Sequence, residues 1–302
     1  MKKTYLALHL AVLLAGFTGI FGKLITLNEG LLTGYRVLFS AIWLLLIRKC
    51  FTKSIPITGR DRLRIAASGM LLTLHWVFFY GSIKYANVSV GVVCYSLTSF
   101  FTAVFTPLVY RKKPVLSELL LSGITLSGIA LIFHFDTAYQ MGIVLGIISS
   151  AFAALYTLCN EQLVRKHDSI SINYYQMTGG TLGLALLMPV YLYYFPVPAL
   201  LPGISDTIYL LLLSLFCTVA LYMLFAESLK RIPAFTVNLS FNLEPVYAIV
   251  IAFLFFKEGK ELNASFYAGL FLVGASVALQ TLLSLHKKKK NALLQEPGAV
   301  AG

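Results

Sequence analysis

Long runs of apolar residues fill this chain almost end to end, with polar residues gathered in short clusters between them. The runs fall at 4–27, 30–49, 62–83, 86–110, 115–134, 139–163, 171–194, 205–229, 232–256 and 263–285. A hydrocarbon core of ~30 Å is crossed by ~20 residues of α-helix, which satisfies its own backbone hydrogen bonds on the way. The pattern therefore predicts an all-α, polytopic membrane protein with ten transmembrane helices. The first run exceeds a signal-peptide core and passes into the second across Asn28-Glu29-Gly30, so it is expected to be a span and not a cleaved leader.

Composition supports this pattern. Only 12% of the 302 residues are charged and 58% are hydrophobic, against ~25% charged in a soluble domain. The net charge of +12 would suit a nucleic-acid binder if it formed one patch, but it does not. With both termini on one side, that side receives Lys2, Lys3, Arg48, Lys49, Lys53, Arg60, Arg62, Arg64, Arg111 to Lys113, Arg165, Lys166, Lys230, Arg231 and Lys287 to Lys290. The opposite loops hold only Lys84, Lys257 and Lys260. This asymmetry follows the positive-inside rule and predicts cytoplasmic termini. The Lys287–Lys290 run reads as a contact with the anionic cytoplasmic leaflet, and no nucleic-acid partner is expected. Cys50, Cys94, Cys159 and Cys217 show no CxxC or Cys/His spacing, so neither a disulfide framework nor a metal or other cofactor is expected.

The chain also repeats itself. Phe79 to Lys84 aligns with Phe225 to Lys230 at an offset of 146 residues, which carries Leu97 onto Leu243, Gly123 onto Gly269 and Gly128 onto Gly274. Tyr35-Arg36 aligns with Tyr175-Gln176 at an offset of 140. Each unit holds five runs. An odd number makes the second unit enter the membrane from the opposite side, so the expected architecture is two inverted five-helix repeats, 1–134 and 135–286, with a basic cytoplasmic tail at 287–302. Inverted repeats are associated with alternating access in secondary transporters. Small-residue stretches at Gly123–Ser127, Gly142–Gly146, Ser149–Ala153, Gly179–Gly183 and Gly269–Gly274 are expected to be helix-packing seams.

Ionisable groups within the runs are few, and each costs ~2.5–3.5 kcal/mol to insert. Glu244 falls about twelve residues into the ninth run, near the midplane, with Pro245 after it to kink the helix. It reads either as a substrate or proton site or as a structural charge partner. Asn238 and Asn242 share a face of the same helix, as interhelical glue or cavity lining. Arg36, six residues into the second run, is able to hold a carboxylate of substrate or protein bidentately. Lys23 reads as a snorkelling interfacial residue. His75, beside Trp76, reads as a hydrogen-bonded packing residue or a proton-coupling group. Tyr80 and Tyr95 lie deep enough to stack on a substrate. Thr98, the repeat counterpart of Glu244, and Gln176, the counterpart of Arg36, complete the candidate substrate-binding set. Glu161 with Arg165, and Glu227 with Lys230 or Arg231, are expected to be interfacial salt bridges.

The stretch Leu243-Glu244-Pro245-Val246, continuing through an apolar run to Glu258 and then Phe266-Tyr267-Ala268-Gly269, resembles the signature of EamA-type carriers of the drug/metabolite transporter superfamily. Ala153 to Tyr156 and the early Arg36 fit the same pattern, and the likeness covers nearly the whole chain. Two features depart from it: Thr98-Ser99 stands where a proline is usual after Leu97, and Lys112-Lys113 stands where a Glu is usual. A different first-half hinge is therefore expected. The resemblance implies a carrier of the bacterial inner (plasma) membrane, often an exporter of small metabolites, without a nucleotide-driven motor.

The sequence thus points to a secondary transporter rather than an enzyme, with a small-molecule substrate such as an amino acid or related compound. The bilayer is its environment, protons are candidate coupling ions, and a monomer is compatible with the sequence. A membrane-embedded enzyme acting on lipid-like substrates is the first alternative, but the chain lacks clustered nucleophiles, carboxylates or metal ligands of the required spacing. A non-transporting scaffold is the second, and the loops are too short to hold a signalling domain.

Overall fold

A computed structural model describes residues 2–51, 57–133 and 139–244, with Tyr247 and residues 268–269, 271–272, 274–276, 278–279 and 282–283 beyond them. Pro245, the loop carrying Lys257 and Lys260, much of the tenth apolar run and the basic tail lie outside the described residues.

The described residues are helical and include no strand. The helices are α1 (Lys2–Leu24), α2 (Glu29–Phe51), α3 (Gly59–Tyr85), α4 (Val88–Tyr95), α5 (Leu97–Tyr110), α6 (Leu116–Phe133), α7 (Gln140–Leu163), α8 (Ser169–Tyr194), α9 (Ile204–Ser214), α10 (Leu221–Leu229) and α11 (Ala234–Phe241), with a π-helical segment at Leu215–Ala220 joining α9 to α10. Polar residues between the apolar runs set the starts. Asn28 Oδ1 accepts from Leu31 N, Asn87 Oδ1 from Val90 N and Asp168 Oδ1 from Ser171 N, each at 2.8 Å, and Thr58 Oγ1 accepts from Asp61 N at 3.2 Å.

Among the described residues, six helical stretches are long and apolar enough to cross a bilayer: Lys3–Leu24, Glu29–Cys50, Gly59–Tyr85, Val88–Tyr110, Gln140–Leu163 and Ile204–Leu229. α8 has 26 residues and α6 has 18. The outer surface is greasy, with Leu186 and Tyr193 each about four-fifths exposed on α8. Serines, threonines and amides are instead buried between the helices. A polytopic membrane protein fits this inside-out distribution, since lipid solvates the apolar exterior and the interior must satisfy the polar groups.

Two expected single spans are each broken. The run 86–110 divides at Ser96, and α11 ends at Phe241 with a turn at Asn242–Leu243 before Glu244. The second break lies upstream of the Glu244-Pro245 pair, because a proline at 245 lacks the N–H that an α-helix would send to the Phe241 carbonyl. The first break forms with no proline after Leu97. Hydroxyls take up the freed carbonyls instead: Ser150 Oγ donates to Cys94 O at 2.7 Å and Ser99 Oγ to Ser96 O at 3.0 Å. The bounds of α4 and α11 correspond residue for residue at the 146-residue offset seen in the sequence.

The small-residue seams divide into two kinds. A Cβ on Gly179 would lie 2.6 Å from Ala66 Cα, and one on Gly142 or Gly146 would lie 2.5 Å from the Cβ of Ala86 or Cys94. Here the helices approach backbone to backbone. Gly123 and Gly274 meet no atom of the described residues within 4 Å, so neither forms a close seam there. Gly69, not singled out from the sequence, packs directly on the Gln176 backbone.

Polar contacts at helix ends tie the halves of the chain together, those of Asp206 and Asp61 among them. Asp206, third residue of α9, accepts from Thr26 N at 3.0 Å and from Thr26 Oγ1 at 2.6 Å. Asp61, third residue of α3, sits with its Oδ2 3.7 Å from His167 Nε2 in the α7–α8 connection.

Candidate functional site

Arg36 is the most unusual side chain in the structure. It is a cation in the second apolar run, 1% exposed, and its hydrogen-bond partners are neutral. Its Nε donates to Thr218 Oγ1 at 2.8 Å, Nη1 to Tyr80 Oη at 2.7 Å and Nη2 to the Cys217 carbonyl at 2.7 Å. Its guanidinium carbon stands 3.8 Å from the centroid of the Trp76 ring. Hydrogen bonds to a charged group contribute ~1.5–3 kcal/mol each, and a desolvated cation–π contact contributes ~2 kcal/mol. Together these offset the insertion cost. A guanidinium carries five N–H donors, so two are without a hydrogen-bond partner among the described residues.

Arg36 lines a narrow internal cavity with Ala15, Thr18, His75, Trp76, Phe79, Tyr95, Leu221, Tyr222, Phe241 and Glu244. The walls come from α1, α2, α3, α4, α10 and the region around the second helix break, and so from both halves of the chain. Its free space is about that of one water molecule. An adjoining chamber shares His75, Tyr95, Leu221, Tyr222 and Phe241 and adds Leu72, Ala153, Tyr156, Thr157 and Phe225. Aromatic rings pack against one another around the residues the two share. His75 and Tyr95 stand 5.2 Å apart by centroid, Trp76 and Tyr222 5.4 Å, and Tyr95 and Phe241 6.3 Å. The last two pairs are repeat counterparts at the 146-residue offset.

His75 bridges α3 to α7. Its Nδ1 lies 2.8 Å from Ser149 Oγ and 3.1 Å from the Ser149 carbonyl, while Ser149 Oγ donates to the His75 carbonyl at 2.9 Å. Only an Nδ1–H satisfies all three contacts, because a bare Nδ1 would set lone pair against lone pair at the carbonyl. In the neutral form of the ring the lone pair then lies on Nε2.

The remaining candidates divide. Tyr80 holds Arg36 through its hydroxyl and Tyr95 is a cavity wall. Asn238 and Asn242 instead bridge helices: Asn238 Nδ2 donates to Thr102 Oγ1 at 2.7 Å and its Oδ1 accepts from Thr157 Oγ1 at 3.1 Å. Asn242 Nδ2 reaches Ser99 Oγ at 3.2 Å and Thr125 Oγ1 at 3.3 Å. Gln176 Nε2 donates to Ser68 Oγ at 3.0 Å and Asn160 Oδ1 at 3.1 Å. The Thr98 hydroxyl is buried, with no hydrogen-bond partner among the described residues. These four lie outside the cavity lining. Among the described residues no group of three or more His, Cys, Asp or Glu side chains is gathered to hold a metal ion.

Both ion pairs expected from the sequence form. Arg165 meets Glu161 at 3.3 Å and Lys230 meets Glu227 at 2.6 Å. Tyr110 Oη adds a 2.5 Å bond to Glu161, and Ser169 Oγ a 2.7 Å bond to Glu227. Sequence reasoning missed Thr18, Phe79, Tyr222 and Phe241 as cavity walls and Cys217 and Thr218 as anchors of Arg36. The repeat offset carried a usable signal for two of them, since it aligns Trp76 with Tyr222 and Tyr95 with Phe241.

A family model described as the EamA-like transporter family matches residues 2–134 and again 140–282. An uncharacterized transporter of Bacillus subtilis (strain 168), YdfC, is 26% identical over 283 residues, covering 91% of this chain and 89% of that protein. An uncharacterized transporter of Haemophilus influenzae (strain ATCC 51907 / DSM 11121 / KW20 / Rd) is 24% identical over 275 residues, covering 85% and 86%. A protein of known crystal structure superposes with a TM-score of 0.71 at 14% identity, over 95% of this chain and 99% of that one. That last likeness speaks to fold alone.

Proposed function

The chain belongs to the EamA-like transporter family, within the drug/metabolite transporter superfamily, and from that premise we propose that it is a secondary carrier of small metabolites working by alternating access. The observation that carries this reading is the convergence of Arg36, His75 and Glu244 on one internal cavity walled by both halves of the chain. Buried ionisable groups in a bilayer mark substrate or ion pathways. A guanidinium with two donors unpartnered among the described residues suits a carboxylate. The carboxyl of Glu244 and the bare Nε2 of His75 suit an amino or hydroxyl group. The aromatic rings suit the apolar body between them. Substrates of this description include amino acids and related organic acids.

The architecture we propose is ten crossings in two inverted units, 1–134 and 135–286, with both termini cytoplasmic and the tail 287–302 on that side. Three features support it. The family model matches the chain twice in succession. The breaks after α4 and α11 recur at one offset. The pairs Trp76–Tyr222 and Tyr95–Phe241 bring repeat counterparts into contact, as residues flanking a pseudo-two-fold axis must. Rocking one unit about such an axis exchanges the two entrances, with Asp206–Thr26 and Asp61–His167 as the contacts made and released. Export across a bacterial inner membrane, with protons coupled through Glu244 or His75, completes the reading.

Reconstituted proteoliposomes test it. Flux of radiolabelled amino acids and organic acids should exceed that of empty vesicles, should saturate, and should fall in an Arg36→Ala variant. Folded, inserted protein that moves none of them would refute the proposal.

A further inference from the structure

The π-helical segment Leu215–Ala220 stands where Arg36 meets the second half of the chain. In a regular α-helix the Leu221 N–H would bond the carbonyl of Cys217. Here it bonds the carbonyls on either side, Phe216 O and Thr218 O. The Cys217 carbonyl is released from that bond and accepts from Arg36 Nη2 at 2.7 Å. The same widening turns the Thr218 hydroxyl to bridge the Leu213 carbonyl, five residues back at 3.2 Å, and Arg36 Nε at 2.8 Å. Single π turns within helices are frequent at functional sites, because they free a carbonyl without ending the helix.

The first half provides an internal control. The counterpart of Leu215–Ala220 is 69–74, which lies within the unbroken helix α3. The counterpart of Arg36 is Gln176, which packs on the same helix at Ser68 and Gly69, about one turn before the positions that match Cys217 and Thr218. Where the chain carries an uncharged amide, the facing helix is regular. Where it carries a guanidinium, the facing helix opens one carbonyl. The π turn thus accompanies the cation.

We propose that this turn is a positioning device for Arg36, with Thr218 as its positioning residue. It fixes two of the five guanidinium donors, through Thr218 and the Cys217 carbonyl; with Tyr80 of α3 taking a third and Trp76 under the plate, the remaining donors serve an anionic group in the cavity. A guanidinium fixed in advance binds a carboxylate without the entropy cost of ordering a long side chain. Thr218 is placed to tune affinity for the anionic group rather than to touch the substrate. The inference rests on the reading of Arg36 as the substrate-facing cation.

The test uses the full-length protein with Trp43→Phe, which leaves Trp76 as the one tryptophan of the chain's two. Benzoate is titrated against Trp76 fluorescence, with benzamide as its uncharged counterpart. Benzoate should bind more tightly than benzamide. Thr218→Val, nearly isosteric, should weaken benzoate by about tenfold, the effect of one charge-assisted hydrogen bond, and leave benzamide unchanged. Thr218→Ser, which keeps the hydroxyl, should restore benzoate binding. A thermal melt of each variant separates loss of fold from loss of affinity. If wild type does not distinguish benzoate from benzamide, the anionic-site reading falls and this inference with it. If Arg36→Ala abolishes the distinction while Thr218→Val keeps it, the site reading stands and the positioning role is overturned.

Discussion

Gly123 and Gly179 read alike in the sequence, each opening a small-residue stretch in an apolar run, yet the structure assigns them opposite consequences when replaced by leucine. In a helix any residue other than glycine or proline gains up to ~1 kcal/mol over glycine by lowering the backbone entropy lost on folding. At Gly123 a Cβ meets no atom of the described residues within 4 Å, so Gly123→Leu should keep that gain. At Gly179 the new Cβ would lie 2.6 Å from Ala66 Cα and 2.7 Å from Ala66 O. Carbon atoms pack at ~3.5–4.0 Å, so α8 and α3 must separate by about 1 Å. Backbone cannot yield as a rotamer does, which puts the cost near the upper end of the ~1–3 kcal/mol for overpacking, or about 2 kcal/mol net of the helical gain. The two variants should therefore differ by about 3 kcal/mol. At roughly 2–4 °C per kcal/mol, purified Gly179→Leu should melt about 4–8 °C below wild type and Gly123→Leu at or slightly above it. Melting in detergent, followed by size-exclusion retention after heating, measures both. Equal shifts in the same direction would refute the division of the seams into packed and open.

Three further expectations follow from the same contacts. Thr26→Val or Asp206→Asn should loosen the α1–α2 connection from α9 and raise labelling of the buried Cys217 by a small maleimide in a Cys50→Ala, Cys159→Ala background; unchanged labelling would show that this contact does not guard the cavity. Asn238→Ala removes two interhelical hydrogen bonds, each worth ~0.6 kcal/mol in a membrane, so the protein should lose only about 1 kcal/mol and keep its affinity for substrate; a large loss of affinity with an unchanged melt would move Asn238 into the site. Glu244→Gln should make flux insensitive to an imposed proton gradient while downhill exchange persists, and flux that still follows the gradient would take Glu244 out of the coupling.

The sequence by itself determined the solvent in which this chain folds. Apolar runs of the length of a bilayer crossing, and basic residues gathered on alternate connections, leave no soluble alternative, because nothing in water could cover so much apolar surface. It also singled out Arg36, His75 and Glu244 as candidates, since an ionisable group inside such a run must be paired, hydrated or functional. Periodicity could not decide which polar residues face one another. Asn238 and Asn242 carry the same chemistry as a cavity wall would, but they are spent on Thr102, Thr157, Ser99 and Thr125 across helices distant in sequence. The missing proline after Leu97 pointed to an altered first-half hinge but not to a break at Ser96, because one of the hydroxyls that support it, that of Ser150, comes from fifty-odd residues away. The π turn under Arg36 has no local signature either: Leu215 to Ala220 would suit an ordinary helix, and the guanidinium that takes the released Cys217 carbonyl comes from the other half of the chain. Burial and span are set by what each residue is, which the chain spells out in order. The site is set by which residues meet, and only packing in three dimensions decides that.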